Sequence, residues 1–428
     1  MFLYNVARKI NHKIKKYKKM RNGKILSPCR RIEFVYPPSD GRYVAMTFDD
    51  GPTILPTTTD ASIGLTDKIL SILSSFGAKG TFDVIGTTVN NYPDTPGSIG
   101  DFTWSGVTYD HYPQFDDDLS AGAVNQKELI KKIIDGGHEI TSHTYSHTLF
   151  GPMRAVYKKR KHFNKLEEVV CDLRKLHNYM LENFDYEIKL SRPPHYIDKI
   201  PDGATSYDAY RVMGYNYMAA SFDGAGWQPL KTYEEEVLAM VNPLKEALSK
   251  DPDCLNGQII FQKDGCNMNL RTPVCDGLME QLKILSEYGY KVITVSELLE
   301  KSCFEDLCDT TEEMKYVKAL LSKNHIIGYK NNTFAPQKNI TAKEFMIMCA
   351  DPEIFKKETA LSYNQLSSIA KEYAKNNNFY IKNATGNALL EIAKKNNISI
   401  DDKKLKDKKR IKRIDALELI YALSEKMK

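Results

Sequence analysis

Apolar positions recur along this chain in two rhythms, and the two rhythms alternate. Short, continuous β-prone runs occur at 43–48, 81–85, 217–221, 258–261 and 291–294. Between them lie stretches whose apolar residues repeat every three to four positions, which predicts helices at 66–76, 126–135, 164–184, 207–213, 232–249, 273–287 and 296–300. In the first of these, Ile69, Leu70, Ile72 and Leu73 form the stripe, Thr66 stands as N-cap and Gly77 closes the helix. Alternating strands and helices imply a parallel sheet with helical crossovers. Polar clusters follow the strands, the pattern of a barrel-like α/β domain with its chemistry at the carboxyl ends.

The sharpest of these clusters ends the first run: 43–48 stops at Asp49-Asp50, and Gly51-Pro52 turns the chain. An ordinary strand-to-turn junction and a pair of catalytic carboxylates read alike at this point. After Gly136-Gly137 come His143 and His147, four apart as on one helical turn, a spacing that suits two imidazoles on one metal. Thr144 stands where a metalloprotease would carry glutamate, so that class is excluded. Arg192 precedes Pro193-Pro194, a rigid turn that either fixes the guanidinium at a carboxylate or merely caps a surface loop. Residues 90–124 break the periodicity and are rich in Asp, Gly, Pro and Tyr. They read as an insertion, either a lid or sugar-contacting rim through Trp104, Tyr109, Tyr112 and Phe115, or a solvated excursion.

Composition narrows the class. The chain has 428 residues, 42% of them hydrophobic and 27% charged, enough for two or three globular domains. No apolar run reaches the roughly 18 residues of a membrane helix. The net charge of +5 does not call for a nucleic-acid partner. Basic residues concentrate in 8–31, with no apolar core after them, so no signal peptide is read; a solvated arm is expected, with contact to an anionic membrane or wall polymer as the alternative. The eight cysteines include no C-x2-C pair, which argues against a cysteine zinc site. Buried free thiols are expected, with bridges among Cys254, Cys266 and Cys275 or between Cys303 and Cys308 left open.

Together these residues resemble the polysaccharide deacetylases, carbohydrate esterase family 4, the NodB homology domain. Thr47-Phe48-Asp49-Asp50-Gly51-Pro52 is similar to the family's first motif, His143 to His147 to its second, and Arg192-Pro193-Pro194 to its third. Asp223 to Trp227 is similar to part of the fourth, and 257–264 occupies the fifth. The resemblance covers about 42–301 and implies a distorted (β/α) barrel. It further implies one divalent metal on Asp50, His143 and His147, with zinc favoured and iron, cobalt or nickel accommodated. Asp49 would be the general base, and Arg192 would orient it. Tyr196 or backbone after Pro193 would help hold the oxyanion, and Trp227 would line the sugar pocket.

One position departs from the family. Its fifth motif carries a histidine that protonates the departing amine, and here that residue is Lys263. A model lysine is the weaker acid by about four pK units. Asp223, the histidine's partner in the family, would pair with Lys263 and keep it charged. Three outcomes follow: Lys263 acts as the acid, His195 takes over, or the enzyme is slow or inactive. Gly226 also stands where the family often has aspartate.

Beyond 302 apolar content falls and Lys and Asn rise. The segment 303–350, with Gly328-Tyr329, Pro336 and Ile340-Thr341, resembles an S-layer homology repeat, and 362–428 resembles a weaker second one. Each would be two helices around a Gly-Tyr turn and a Pro-bounded loop. That resemblance implies a small helical domain binding an anionic secondary cell-wall polymer, often through an arginine. Ala342 holds that position in the first copy, and Arg413 fits it in the second. A basic helical appendage with a packing role is the alternative.

The expected organisation is therefore a basic arm at 1–40, the deacetylase domain at 41–301 and the helical repeats at 302–428. The expected function is removal of N-acetyl groups from an N-acetylated glycan, a hydrolysis of linear amides. Peptidoglycan comes first because the tail points to the wall, with chitin oligomers or O-acetylated xylan also open. The alternative is an impaired, glycan-binding relative attached to the wall. The tail places the protein outside the cell, while the missing signal sequence leaves an intracellular site open.

Overall fold

A computed structural model describes residues 29, 31–35, 41–88, 103–104, 107–108, 119–152, 162–267, 269–301, 304, 306, 313–323, 325–329, 333–355 and 363–426. The chain falls into two compact units, one of them Ile32–Lys301 and the other built on Ser302–Lys428. No described helix is long and apolar enough to cross a membrane.

The first unit is a curled parallel sheet with helical crossovers. Its elements run β1 (Arg31–Ile32), β2 (Arg42–Asp49), α1 (Leu65–Ser75), β3 (Thr81–Val84), β4 (Thr103–Trp104), β5 (Val107–Thr108), α2 (Lys127–Asp135), β6 (Glu139–Ser142) and α3 (Leu166–Phe184). There follow β7 (Leu190–Ser191), α4 (Ser206–Met213), β8 (Asn216–Met218), β9 (Phe222–Asp223), α5 (Tyr233–Lys250), β10 (Ile259–Lys263), α6 (Val274–Glu287), β11 (Tyr290–Ile293) and α7 (Val295–Lys301). The strand order is β1-β8-β7-β6-β3-β2-β10-β9, and β11 also pairs with β2. β8 and β9 lie in one stretch, 216–223, whose start pairs with β7 and whose end pairs with β10. The sheet therefore curls round on itself into a distorted barrel. The expected strand at 217–221 is split for the same reason: at Ser221 the chain changes neighbours, its N–H bonding Ile259 O at 3.0 Å.

β2 is the axis of this unit. Met46 and Phe48 are fully buried, and Phe48 stacks on Phe82 of β3 with ring centroids 5.1 Å apart. Burial of both faces explains why β2 reads as an apolar run rather than an alternation. α1 packs its Leu65, Ile69, Ile72 and Leu73 stripe inward, as its periodicity requires. Gly64, not Thr66, is its N-cap. The Thr66 hydroxyl instead accepts from the Thr53 N–H at 2.7 Å and donates to the buried Asp264 carboxylate at 2.8 Å.

Within the expected insertion the described residues are the hairpin of β4 and β5 and 119–124. The side chain of Trp104, and Tyr109, Tyr112 and Phe115, lie outside the described residues, as do the basic stretch 8–28, Cys303 and Cys308. No disulfide joins Cys254, Cys266 and Cys275, so none of the bridges left open among them forms.

In the second unit α8 (Met314–Ser322) and α9 (Ala342–Cys349) flank the Gly328-Tyr329 turn, followed by α10 (Tyr363–Asn376), α11 (Gly386–Lys395) and α12 (Leu417–Lys426). They bury a common core that includes Phe304, Phe334, Phe345, Leu366, Phe379 and Leu389. A Cβ on Gly328 would lie 2.2 Å from the Phe304 ring, so only glycine lets the turn close on that core. Arg413 is fully buried here. Its Nε donates to Phe334 O at 2.7 Å and its Nη2 to Ile327 O at 2.5 Å, with the guanidinium 4.5 Å from the Tyr329 ring. This overturns its expected role as a polymer contact: its donors satisfy internal carbonyls that burial would otherwise orphan.

Candidate active site

Strand register assembles the site. β2 lies between β3 and β10, with Asp49 opposite Asp83 on one side and opposite Lys263 on the other. β6 continues the row with Ser142 opposite Val84, and β7 with Ser191 opposite Ser142. The next residues out are His143 and Arg192, so the carboxyl ends of five neighbouring strands converge.

Asp50 holds a left-handed φ of 81°, and its Oδ1 lies 3.3 Å from His143 Nε2 and 3.0 Å from His147 Nε2. The histidines are not on a helix as their spacing suggested. They sit in a loop after β6, with Thr144 and His147 at φ 77° and 52°. Asp172 of α3 pins that loop by accepting N–H groups from Tyr145 at 2.8 Å and Ser146 at 3.3 Å. Backbone strain at a site persists only where the surroundings over-determine it, and Asp172 does that here.

Asp49 is 3% exposed. Its Oδ1 accepts from Arg192 Nη1 at 2.5 Å, and its Oδ2 lies 4.0 Å from His143 Nε2. Arg192 is fully buried and also donates to Thr47 Oγ1 at 3.0 Å. The turn reading of Arg192 as a solvated surface residue is thus overturned. Burial pushes Asp49 up to about 6, with Arg192 and His143 opposing. Arg192 thus draws this carboxylate down, but desolvation exceeds the attraction. Burial works on Asp50 too, but Lys263, His147 and hydrogen bonds from both histidines hold it well below the usual carboxylate range.

Asp83 is a residue that sequence reasoning missed. It is fully buried, its Oδ1 accepts from the Thr141 hydroxyl at 2.6 Å, and its Oδ2 lies 2.8 Å from His143 Nδ1. The same nitrogen lies 2.9 Å from Arg192 O. Asp83 Oδ2 and Arg192 O thus both face that ring nitrogen. Burial acts to lower His143, yet Asp83, Asp49 and the bond to Asp50 push it up to about 10. The rule that flagged Asp49, a charge at the end of a buried strand, applies equally to Asp83.

Among the described residues, Asp50, His143 and His147 bring one ligand atom each to within 4.8 Å of one another. Two imidazole nitrogens and a carboxylate oxygen suit a divalent ion, and the tie on His143 Nδ1 turns Nε2 toward Asp50. Asp49, Asp83 and His143 form a second such group. There Arg192 already occupies Asp49, so the first group is the better fit.

The remaining expectations divide. Lys263 Nζ bonds Asp50 Oδ2 rather than pairing with Asp223. Asp223 Oδ1 instead accepts from Ala225 N–H at 2.9 Å and Trp227 Nε1 at 3.1 Å. Trp227 is half-buried and Tyr196 is 38% exposed, its ring 5.5 Å from the Arg192 guanidinium. After Pro193, Pro194 has no N–H to offer, and the Tyr196 N–H bonds Pro193 O at 2.9 Å. His195, at φ 53°, has its ring 5.7 Å from that of His147.

The sequence model of the family described as polysaccharide deacetylase matches residues 37–215, and that of the S-layer homology domain matches 308–346. The first match marks residues 37–215 as a polysaccharide deacetylase domain. The chain is similar to a peptidoglycan-N-acetylglucosamine deacetylase of Bacillus cereus, 26% identical over 265 residues, 61% of this chain and 90% of that protein. Among solved structures it is similar to a peptidoglycan deacetylase of Bacillus subtilis, at 18% identity and a TM-score of 0.41, over 61% of this chain and 92% of that one. A carbohydrate esterase family 4 pseudoenzyme of Bacillus anthracis aligns at 14% identity and a TM-score of 0.41, over 64% of this chain and 70% of that one. The strand register places Asp49, Asp83 and Lys263 on β2, β3 and β10, and Asp50, His143 and Arg192 directly after β2, β6 and β7.

Proposed function

We propose that the chain is a metal-dependent hydrolase that removes N-acetyl groups from an N-acetylated glycan, with the GlcNAc residues of peptidoglycan as substrate. The observation that carries this reading is the convergence of Asp50, His143 and His147 within 4.8 Å, beside an Asp49 held by Arg192. Zinc suits the donor set, and cobalt, nickel or iron fit it too. Held by Asp50, His143 and His147, such an ion would polarise an acetyl carbonyl and lower the pKa of water. Asp49 accepts the proton of the attacking water at Oδ2, since Oδ1 is held by Arg192. Arg192 fixes the orientation of that base. Lys263 is a poor candidate for the acid, because its ammonium is bound to Asp50. His195 is better placed to protonate the departing amine, with its ring beside His147. Pro193 sets the turn that presents Tyr196, and Tyr196 and Trp227 offer aromatic surface to a sugar ring, Asp223 holding the indole.

The S-layer homology region attaches the enzyme to an anionic cell-wall polymer, which puts it at the cell surface and near peptidoglycan. Supporting this is a cavity of about 590 Å³ in the second unit, lined by Lys343, Lys382, Lys409 and Arg410, with Thr341 and Thr385 at the starts of α9 and α11 and no carboxylate among its lining residues. Retention on purified cell walls that is lost on stripping the anionic polymer, or in Lys382→Glu with Lys409→Glu, tests it. Equal retention in all three cases refutes it.

For the reaction, acetate release from N-acetylglucosamine oligomers and peptidoglycan is the measurement. Release that a chelator removes, zinc or cobalt restores and Asp49→Asn abolishes is expected. The bond from Lys263 to Asp50 favours a second reading, a glycan-binding relative without turnover. Metal binding without acetate release from several glycans would establish that second reading instead.

A further inference from the structure

The carboxylate of Asp50 is divided between two claimants. Its Oδ1 faces His143 Nε2 at 3.3 Å and His147 Nε2 at 3.0 Å, while its Oδ2 is bound by Lys263 Nζ. This division follows from strand register: β10 pairs with β2 so that Lys263 stands opposite Asp49, and its side chain reaches the residue after it. The Lys263 and Asp50 side chains are 17% and 18% exposed, so solvent screens their charges little. The deacetylase motif supplies a histidine at this position, and a lysine there changes what Asp50 can offer. An ammonium on Oδ2 leaves only Oδ1 as a ligand oxygen, and it draws electron density from the carboxylate. It also keeps a positive charge next to the place where a cation would sit.

We propose that Lys263 is an internal counter-cation of the metal site, which satisfies Asp50 and weakens the site's affinity for a divalent ion. The inference rests on the metal-site reading above. Lys263 thereby sets the metal concentration at which the site fills, and so couples any activity to metal supply.

The test is zinc affinity of the full chain, measured by competition with a chelating dye. Lys263→Met is expected to bind zinc about tenfold or more tightly than the native chain, since one fixed charge is removed from a poorly screened site. Lys263→Gln keeps a hydrogen-bond donor without the charge, and it is expected to show the same gain should the methionine variant fold poorly. Without zinc both variants are expected to melt lower than the native chain, and with saturating zinc to gain more. Equal or weaker binding in both variants, with His147→Ala weaker still, overturns the role of Lys263 alone. Failure of the native chain and both variants to bind zinc overturns the metal-site reading and the inference with it.

Discussion

Replacing Arg192 with methionine tests the electrostatic core of the site. Arg192 is fully buried, Asp49 is 3% exposed, and 143 residues separate them along the chain. Methionine keeps much of the volume and removes the charge. Breaking a buried pair from one side costs about 3–5 kcal/mol, because the remaining charge is left uncompensated. Asp49 already stands at about 6 with its partner present, above the unfolded carboxylate value. Losing Arg192 raises it further, so Asp49 takes up a proton near neutrality and limits the cost. The sign follows from linkage. A carboxylate whose folded pKa is raised contributes stability at low pH and loses it as pH rises through that folded value. In the variant this loss extends to higher pH than in the native chain. The destabilisation by Arg192→Met therefore grows above pH 6, by up to about 1.4 kcal/mol per pH unit. Urea unfolding in chelator, at pH 5.5 and pH 8, measures it. Both tryptophans, Trp104 and Trp227, belong to the Ile32–Lys301 unit, so their fluorescence reports on that unit. The double variant Arg192→Met with Asp49→Asn is expected to lose the extra pH dependence and to be less destabilised than the two single costs added. A cost under about 1 kcal/mol at both pH values, or single costs that simply add within about 0.5 kcal/mol, refutes the reasoning.

Two further outcomes are expected. Asp83→Asn removes the charge behind His143 and should weaken zinc binding about 10- to 100-fold while the chain stays folded, as is usual for residues behind a metal ligand; unchanged affinity in the dye competition would show Asp83 to be structural only. Asp264 is pushed up to about 7 by burial, with the Thr66 hydroxyl opposing, so it contributes stability at low pH that is lost as pH rises from about 4 to 7. Asp264→Asn should flatten that part of the stability profile in urea melts, and a profile parallel to the native one would show that Asp264 does not carry the shift.

Much of the fold was legible because the terms that specify it are local. The 43–48 run, the stripe of α1 and the glycine stop at Gly77 each act over a few residues, and each produced the element expected from it. The candidate site was legible in its members and less so in its partnerships. His143 and His147 converge, but through a strained loop held by Asp172, because a four-residue spacing is met by more than one backbone path. Asp83 passed unnoticed inside a strand whose other residues announce only burial.

Sequence by itself determined that two acids end an apolar β-prone run and that two histidines, an arginine and a lysine recur in polar clusters later in the chain. Only the tertiary structure decided which of these groups meet. Lys263 and Asp50 are 213 residues apart, and their contact exists because β10 pairs with β2 in one register rather than another. Arg413 likewise reads as a surface cation from its sequence and is a buried hydrogen-bond donor in the fold. Periodicity tells a residue which face of its own element it occupies. What lies across from that face depends on packing between distant segments, and that packing decides whether a charge is solvated, paired or left to bind a metal.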